Sequence, residues 1–361
     1  MNGALQVRRR RPHGGIRQGR PDRFCTGRSA GRLVLTSLVA DIGGTKARIA
    51  IVEGQFQSEP QVLHCSEFGS LEDALRFAIG NAGVKVDRAC IGVAAPVMGD
   101  EVNITNNNWT FSVSATKNRL GLDELLAVND FAALASALPL LDEASLASIG
   151  GAQCRASMPQ LIIGPGTGLG VATVLFGDTD APVVLAGEGG YVTLPVHTDR
   201  ELAVWQVLRS LFGRVSAERV LCGSGLVELY NALGVVDGVD GAQESSSYEI
   251  VKHGMADASS REREALDMFL SLLGDVAGNA ALTLGARGGV FLNGDLLNEL
   301  APLLPGSALH SRFERKGRGR PFLADVGIFL ITDRFAALKG CVRMLAGPGG
   351  GTRERRDSDA A

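Results

Sequence analysis

Two glycine-bearing turns and a small set of carboxylates carry the chemistry legible in this sequence. The first turn lies in residues 38–52, LVADIGGTKARIAIV, where two apolar arms flank Gly43, Gly44 and Thr45. Arms of this composition suit buried strands. Glycines permit φ > 0 and let a ligand come close to the backbone, and successive backbone N–H groups in such a turn form an anion-binding concavity. The stretch therefore predicts a β-hairpin whose turn cradles a nucleotide phosphate, spanning Ala40, Asp41, Ile42, Gly43, Gly44 and Thr45. Asp41, at the end of the first arm, could hold a cation beside that phosphate. Taken alone, the stretch fits equally a hairpin whose aspartate only satisfies turn backbone.

A second copy shifts the balance. Residues 161–175, LIIGPGTGLGVATVL, repeat the plan of strand, G-x-G-T turn and strand, with Gly166, Thr167 and Gly168 in the turn and Gly164 where Asp41 stood. Two such hairpins far apart in one chain suggest two related halves, each offering a phosphate loop to one cleft. Asn129 and Asp130 follow an apolar strand, Leu125–Val128, and precede a helix, Phe131–Leu138; by position alone they read as a helix cap. Glu188 sits between Gly187 and Gly189, on backbone that a small ligand can approach. Glu218 opens a further helical stretch, where a carboxylate is favourable near the helix N-terminus.

The two turns together resemble the paired phosphate loops of the actin-like sugar kinase superfamily. The surrounding text is similar to the bacterial glucokinases of the non-ROK type. The matching stretches are IGVAAPV (91–97), TNNNWTFS (105–112), VNDFAALASALPLL (128–141), GEGGYVTLP (187–195), SAERVLCGSGLVELYNAL (216–233) and LADVGIFLITD (323–333). They cover most of residues 37–345 in the family's order. The resemblance implies ATP with Mg²⁺ near Asp41, adenosine at a turn containing Gly294, and glucose against Asn129, Asp130, Glu188, Tyr191 and Glu218. It implies Asp130 as the base that accepts the sugar hydroxyl proton, in the first step of glycolysis. Two departures stand out: Tyr191 occupies the place of a family histidine, and Asp295 follows Gly294 where the family usually has a second glycine. These keep a different hexose or phosphate donor as a rival reading, alongside a sugar-binding regulator with weak catalysis.

The elements that must position these groups follow from pattern. Alternating helix-period and strand-period stretches predict an α/β protein with covered, mixed or parallel sheets, and 361 residues exceed one ordinary core. With the resemblance, the expectation is a two-domain ribonuclease H-like, actin-like ATPase fold that closes a cleft on its sugar. A small α/β domain would span 37–141, completed by 332–346, and a larger one 142–331. Further expectations are a helix at 114–120 capped by Ser114, a boundary segment over 139–154, a chain break at Gly223–Gly225 and a long helix over Arg261–Leu284. A solvated basic loop over Phe313–Arg320 and a strand over Ala324–Ile331 complete them.

The net charge of −3 is uneven: residues 1–33 hold nine arginines and one aspartate, leaving −11 for the remainder. An acidic body argues against nucleic acid as the main partner. Residues 1–36 and 347–361 lack apolar periodicity and are expected to be disordered. The first apolar run is the hairpin itself, so no export signal is expected. No stretch reads as a membrane span. Six scattered cysteines, without C-x-x-C spacing, read as reduced thiols of a cytoplasmic protein. A homodimer is implied only by the resemblance.

Overall fold

The first hairpin forms as its pattern requires. In the computed structural model, which describes residues 35–53, 56–104, 107–155, 157–176, 182–239 and 246–347, β1 (Thr36–Ile42) and β2 (Lys46–Glu53) pair antiparallel. The expectations for 1–34 and 348–361 lie outside these residues. Short strands β3 (Phe56–Gln57) and β4 (Gln61–His64) both flank β2. Helix α1 (Leu71–Ala82) then crosses to β5 (Arg88–Val93), parallel to β1 and buried along its whole length. A ribbon of β6 (Glu101–Asn103) and β7 (Thr110–Ser112) leads into α2 (Val113–Leu120) and β8 (Glu124–Asn129), which closes the sheet in the order β3-β2-β1-β5-β8. Ser112, not Ser114, caps α2: its Oγ accepts from the Ala115 N–H at 3.1 Å, and Ser114 already lies inside the helix.

Helix α3 (Asp130–Ala137) follows β8 directly. Its short alanine-rich sequence lets neighbours approach from both sides. Ala133 packs with the first sheet, while Leu134, Ala135 and Ala137 pack with the second.

The boundary segment is not all loop. It contains β9 (Leu146–Gly150), the edge of the second sheet, paired with a strand about 180 residues later. The second hairpin is β10 (Gln160–Pro165) and β11 (Leu169–Leu175), continued antiparallel by β12 (Val183–Gly187). Five helices follow: α4 (Asp199–Phe212), α5 (Ala217–Val220), α6 (Gly223–Val236), α7 (Ser247–Ala256) and α8 (Arg261–Leu284). The expected break at Gly223–Gly225 is instead the first turn of α6, capped by Cys222. By length and composition α8 could cross a membrane, but most of it is buried in the second core.

The chain returns through β13 (Gly289–Leu292), α9 (Asp295–Glu299), α10 (Leu309–Glu314), α11 (Arg320–Leu323) and β14 (Ile328–Ile331), shorter than the strand expected from Ala324. The second sheet runs β12-β11-β10-β13-β14-β9. Like the first, it places an antiparallel hairpin beside two parallel strands, as duplication of one unit requires. The segment expected to be a solvated basic loop is so only in part: Arg315, Arg318 and Arg320 are exposed, but its start is anchored in the second core. Phe313 is inaccessible, and Lys316 reaches Asp275 Oδ1 at 3.0 Å. Arg312 binds the same aspartate and, at 2.7 Å, Glu201. Charges removed from water must be paired, and these partners lie 37 to 111 residues away.

Helix α12 (Ala336–Ala346) closes the structure by returning to the first sheet. Leu338, Cys341 and Leu345 pack with Val39, Ala50 and Cys90, and Arg88 of β5 donates to the Leu345 carbonyl at 3.0 Å. The two halves are thus joined through α3 and α12.

Candidate active site

A cleft of about 490 Å³ is lined by Asn129, Asp130, Gly166, Thr167, Gly168, Glu188, Tyr191 and Glu218, all singled out in the sequence. It is also lined by Ala95, Pro96, Phe131, Arg214, Ser224 and Glu228. Asp41 and Gly294 lie instead along a smaller neighbouring recess.

Asn129 is both a cap and a positioning group. Its Oδ1 accepts from the Ala132 backbone N–H at 3.1 Å, the bond that starts α3. Its Nδ2 donates to Asp130 Oδ1 at 3.1 Å, and Phe131 N–H donates to the same oxygen at 2.9 Å. Asp130 Oδ2 is left to take a proton. Burial raises the Asp130 pKa to about 7, helped by the nearby charge of Asp41 and opposed by the Phe131 N–H bond. A base is most effective when its pKa lies near the working pH.

Asp41 stands opposite Arg48 in the hairpin register and pairs with it at 3.1 Å. Burial pushes the Asp41 carboxyl up, and Arg48 pulls it back. Arg48 was not singled out, although counting outward from the turn would have found it. Arg48 also reaches Asp295 at 3.5 Å. Asp295 starts α9 in helical backbone, so it needs no tolerance for left-handed geometry. Gly294 is the residue with the unusual conformation, φ 145° and ψ 144°. The extra carboxylate therefore has a cation partner. Asp295 is 73% exposed, so Asp295→Gly is expected to change stability by less than about 1 kcal/mol. Arg48→Met leaves Asp41 desolvated and unpaired, an expected loss of about 1–3 kcal/mol. Urea unfolding at pH 7 measures both.

The turn glycines differ from expectation in their backbone conformation. Neither Gly43, Gly166 nor Gly168 adopts left-handed backbone. A Cβ at Gly168 would displace the Glu218 carboxylate from its present position. That carboxylate accepts from the Leu169 backbone N–H at 2.9 Å. Glu188 stands at the start of a short 3₁₀ turn, Gly189–Tyr191; burial and Glu218 both raise its pKa. The Tyr191 phenol is raised as well, chiefly by Glu218. Arg214 donates to the Tyr191 carbonyl at 2.7 Å and so fixes the turn that carries Glu188.

Among the described residues, no group of three or more His, Cys, Asp or Glu side chains is gathered to hold a metal.

The glucokinase family profile matches residues 38–347. A glucokinase of Chromobacterium violaceum is 43% identical over 311 residues, covering 86% of this chain and 89% of that protein. The crystal structure of a glucokinase from an Antarctic psychrotroph superposes with TM-score 0.74 at 32% identity, over 85% of this chain and 97% of the other. A glucokinase of Balamuthia mandrillaris, solved in complex with glucose, shares the fold at TM-score 0.73 and 19% identity, over 87% and 94%. The two duplicated sheets, the cleft where the start of α3 meets the turn of the second hairpin, and the extent of these matches give one conclusion: this chain belongs to the glucokinase family and has its two-domain, actin-like ATPase fold.

Proposed function

We propose that the protein transfers the γ-phosphoryl group of ATP to the 6-hydroxyl of D-glucose, with Asp130 as general base. The observation that carries this reading is a half-buried carboxylate, its pKa raised to about 7, fixed by two hydrogen bonds in a cleft lined by a glycine-rich turn. The sugar O6 would form its bond to phosphorus while the β,γ-bridging oxygen leaves with ADP, and the hydroxyl proton would pass to Asp130 Oδ2. Asn129 orients that carboxylate. Glu188, Tyr191 and Glu218 would bind sugar hydroxyls. The phosphates would lie along residues 40–45 and 166–168, with the adenosine at Gly294. Mg²⁺, held through water by Asp41, would supply charge neutralisation at the phosphates.

The proposed lobes are 37–141 with 332–346, and 142–331. Closure of one on the other would exclude water from the transfer. The five described cysteines are free thiols, as suits a cytoplasmic location. A homodimer is part of the same proposal, and light scattering on the purified chain would test it.

The deciding experiment is sugar-dependent ADP release with ATP and Mg²⁺, over glucose, mannose, fructose, galactose and N-acetylglucosamine. Turnover confined to a sugar other than glucose, or absent with all five, would sink the proposal. Tyr191 bears on the choice among sugars. The residue is 53% exposed and its phenol lies within the field of two carboxylates. A phenol holds its proton at neutral pH, whereas an imidazole there can titrate. Tyr191→His is expected to change relative kcat/KM across the panel by about three- to tenfold with little effect on kcat for the best sugar. An unchanged ranking would remove Tyr191 from the specificity argument.

A further inference from the structure

The proposed sugar carboxylate Glu218 lies closer to the phosphate loop than a group serving only the sugar needs to be. Its Oε2 accepts the Leu169 backbone N–H at 2.9 Å, directly after the G-x-G-T turn. The carboxylate fills the space that a Cβ at Gly168 would take, and it lies 3.3 Å from the Cβ position of Gly190. One side chain therefore touches both the phosphate turn and the Glu188–Tyr191 turn.

The segment carrying Glu218 is itself anchored. Ala217 N–H donates to the Val192 carbonyl at 2.8 Å, and Ser216 bridges to Thr193. Ser216 Oγ caps α5 by accepting from Arg219 N–H. A few residues on, Gly223 N–H donates to the Gly166 carbonyl at 3.1 Å, tying the same segment to the other end of the turn. The turn is thus held at both ends by residues 217–223. Of these two ties, only the one at Leu169 is made by a side chain that also faces the sugar pocket.

We infer that Glu218 is a positioning residue for the nucleotide as well as a sugar ligand, coupling the two sites through the Leu169 N–H. The inference rests on the reading of the cleft as a sugar and nucleotide site. A sugar hydroxyl that draws on the same carboxylate changes the hold on the phosphate turn. By linkage, nucleotide binding then changes sugar affinity by the same factor.

The test uses two variants of the full chain. Glu218→Met keeps the side-chain volume but removes the acceptor, and Glu218→Gln keeps an acceptor oxygen for Leu169 N–H. In titration calorimetry without sugar, Glu218→Met is expected to weaken Mg·ADP binding roughly tenfold, the scale of a lost charged hydrogen bond. Glu218→Gln is expected to stay within about twofold of wild type, while both variants weaken glucose binding. Unchanged Mg·ADP binding in Glu218→Met, or an equal loss in Glu218→Gln, would overturn the coupling.

Amide hydrogen exchange on ligand-free protein gives an independent answer. The Leu169 amide is expected to exchange faster in Glu218→Met, with α8 and β10 protected as in wild type. An unaltered rate overturns the inference. If wild-type protein fails to bind glucose, the sugar reading falls, and exchange at Leu169 still decides whether Glu218 holds the phosphate turn.

Discussion

Asp130→Asn is expected to lower kcat for glucose by roughly a hundred- to ten-thousandfold, the range attributed to a positioned general base. The asparagine oxygen can still accept from Phe131 N–H, so the start of α3 and the sugar pocket keep their shape. KM for glucose should therefore change far less than kcat. The wild-type pH profile of kcat/KM follows from the same carboxyl. Only its ionised form accepts a proton, so activity should rise as pH increases through about 7 and level off above it. A profile flat from pH 5.5 to 8.5 would remove Asp130 from the role of base.

The variant should also be more stable where the wild type is most active. The Asp130 pKa rises from its ordinary 3.8 to about 7 on folding. Between those values the native state holds a proton that the unfolded chain has released. Stability from this group is therefore fully present below pH 4 and is lost as pH rises through 7. Asparagine carries no such penalty. A gain of about 1–2 kcal/mol would raise Tm by roughly 1–3 °C at pH 8, with the difference closing towards pH 4. Such opposition of stability and activity is usual at catalytic positions.

The second large effect lies away from the chemistry. At Gly340, α12 crosses α3 so closely that any Cβ would overlap the Ala133 carbonyl oxygen. That oxygen belongs to rigid helical backbone, so no rotamer change can relieve the clash. Gly340→Val must force α12 off α3, opening the cluster of Val39, Cys90, Ala133, Leu338 and Cys341. The expected cost is about 3 kcal/mol or more. Because α3 begins at Asp130, the same displacement should lower kcat well beyond what reduced stability explains. Urea unfolding and kcat measured at 15 °C would separate the two effects. A variant that unfolds like wild type would show that the crossing is not as tight as the structure places it.

The hairpins, β5, α3 and α8 could be read from the sequence because their signals are local. Strand-period arms meet at a glycine turn, helical spacing is uninterrupted, and capping residues stand at the ends. β9 escaped notice because its five residues become a strand only by pairing with β14, far along the chain. Lys316 read as a solvated charge because its partner, Asp275, is supplied by another helix. The first turn of α6 read as a break because glycine's low helix propensity is a weak prior, which the Cys222 cap and the packing of Leu226 and Leu229 override.

By itself, the sequence determined which groups are available for chemistry: two glycine-bearing turns, an Asn-Asp pair and two glutamates among glycines and small residues. It also determined the duplicated α/β plan, since periodicity and turn residues are properties of neighbours in the chain. The tertiary structure alone decided what each group is bonded to. Asp41 shares Arg48 with Asp295 from the opposite half, 247 residues beyond Arg48. Glu218 holds a backbone N–H 49 residues before it. Asp130 acquires a pKa near 7 from its burial and from the charge of Asp41. Desolvation and hydrogen bonding depend on which atoms lie within a few ångströms, and only folding brings those atoms together.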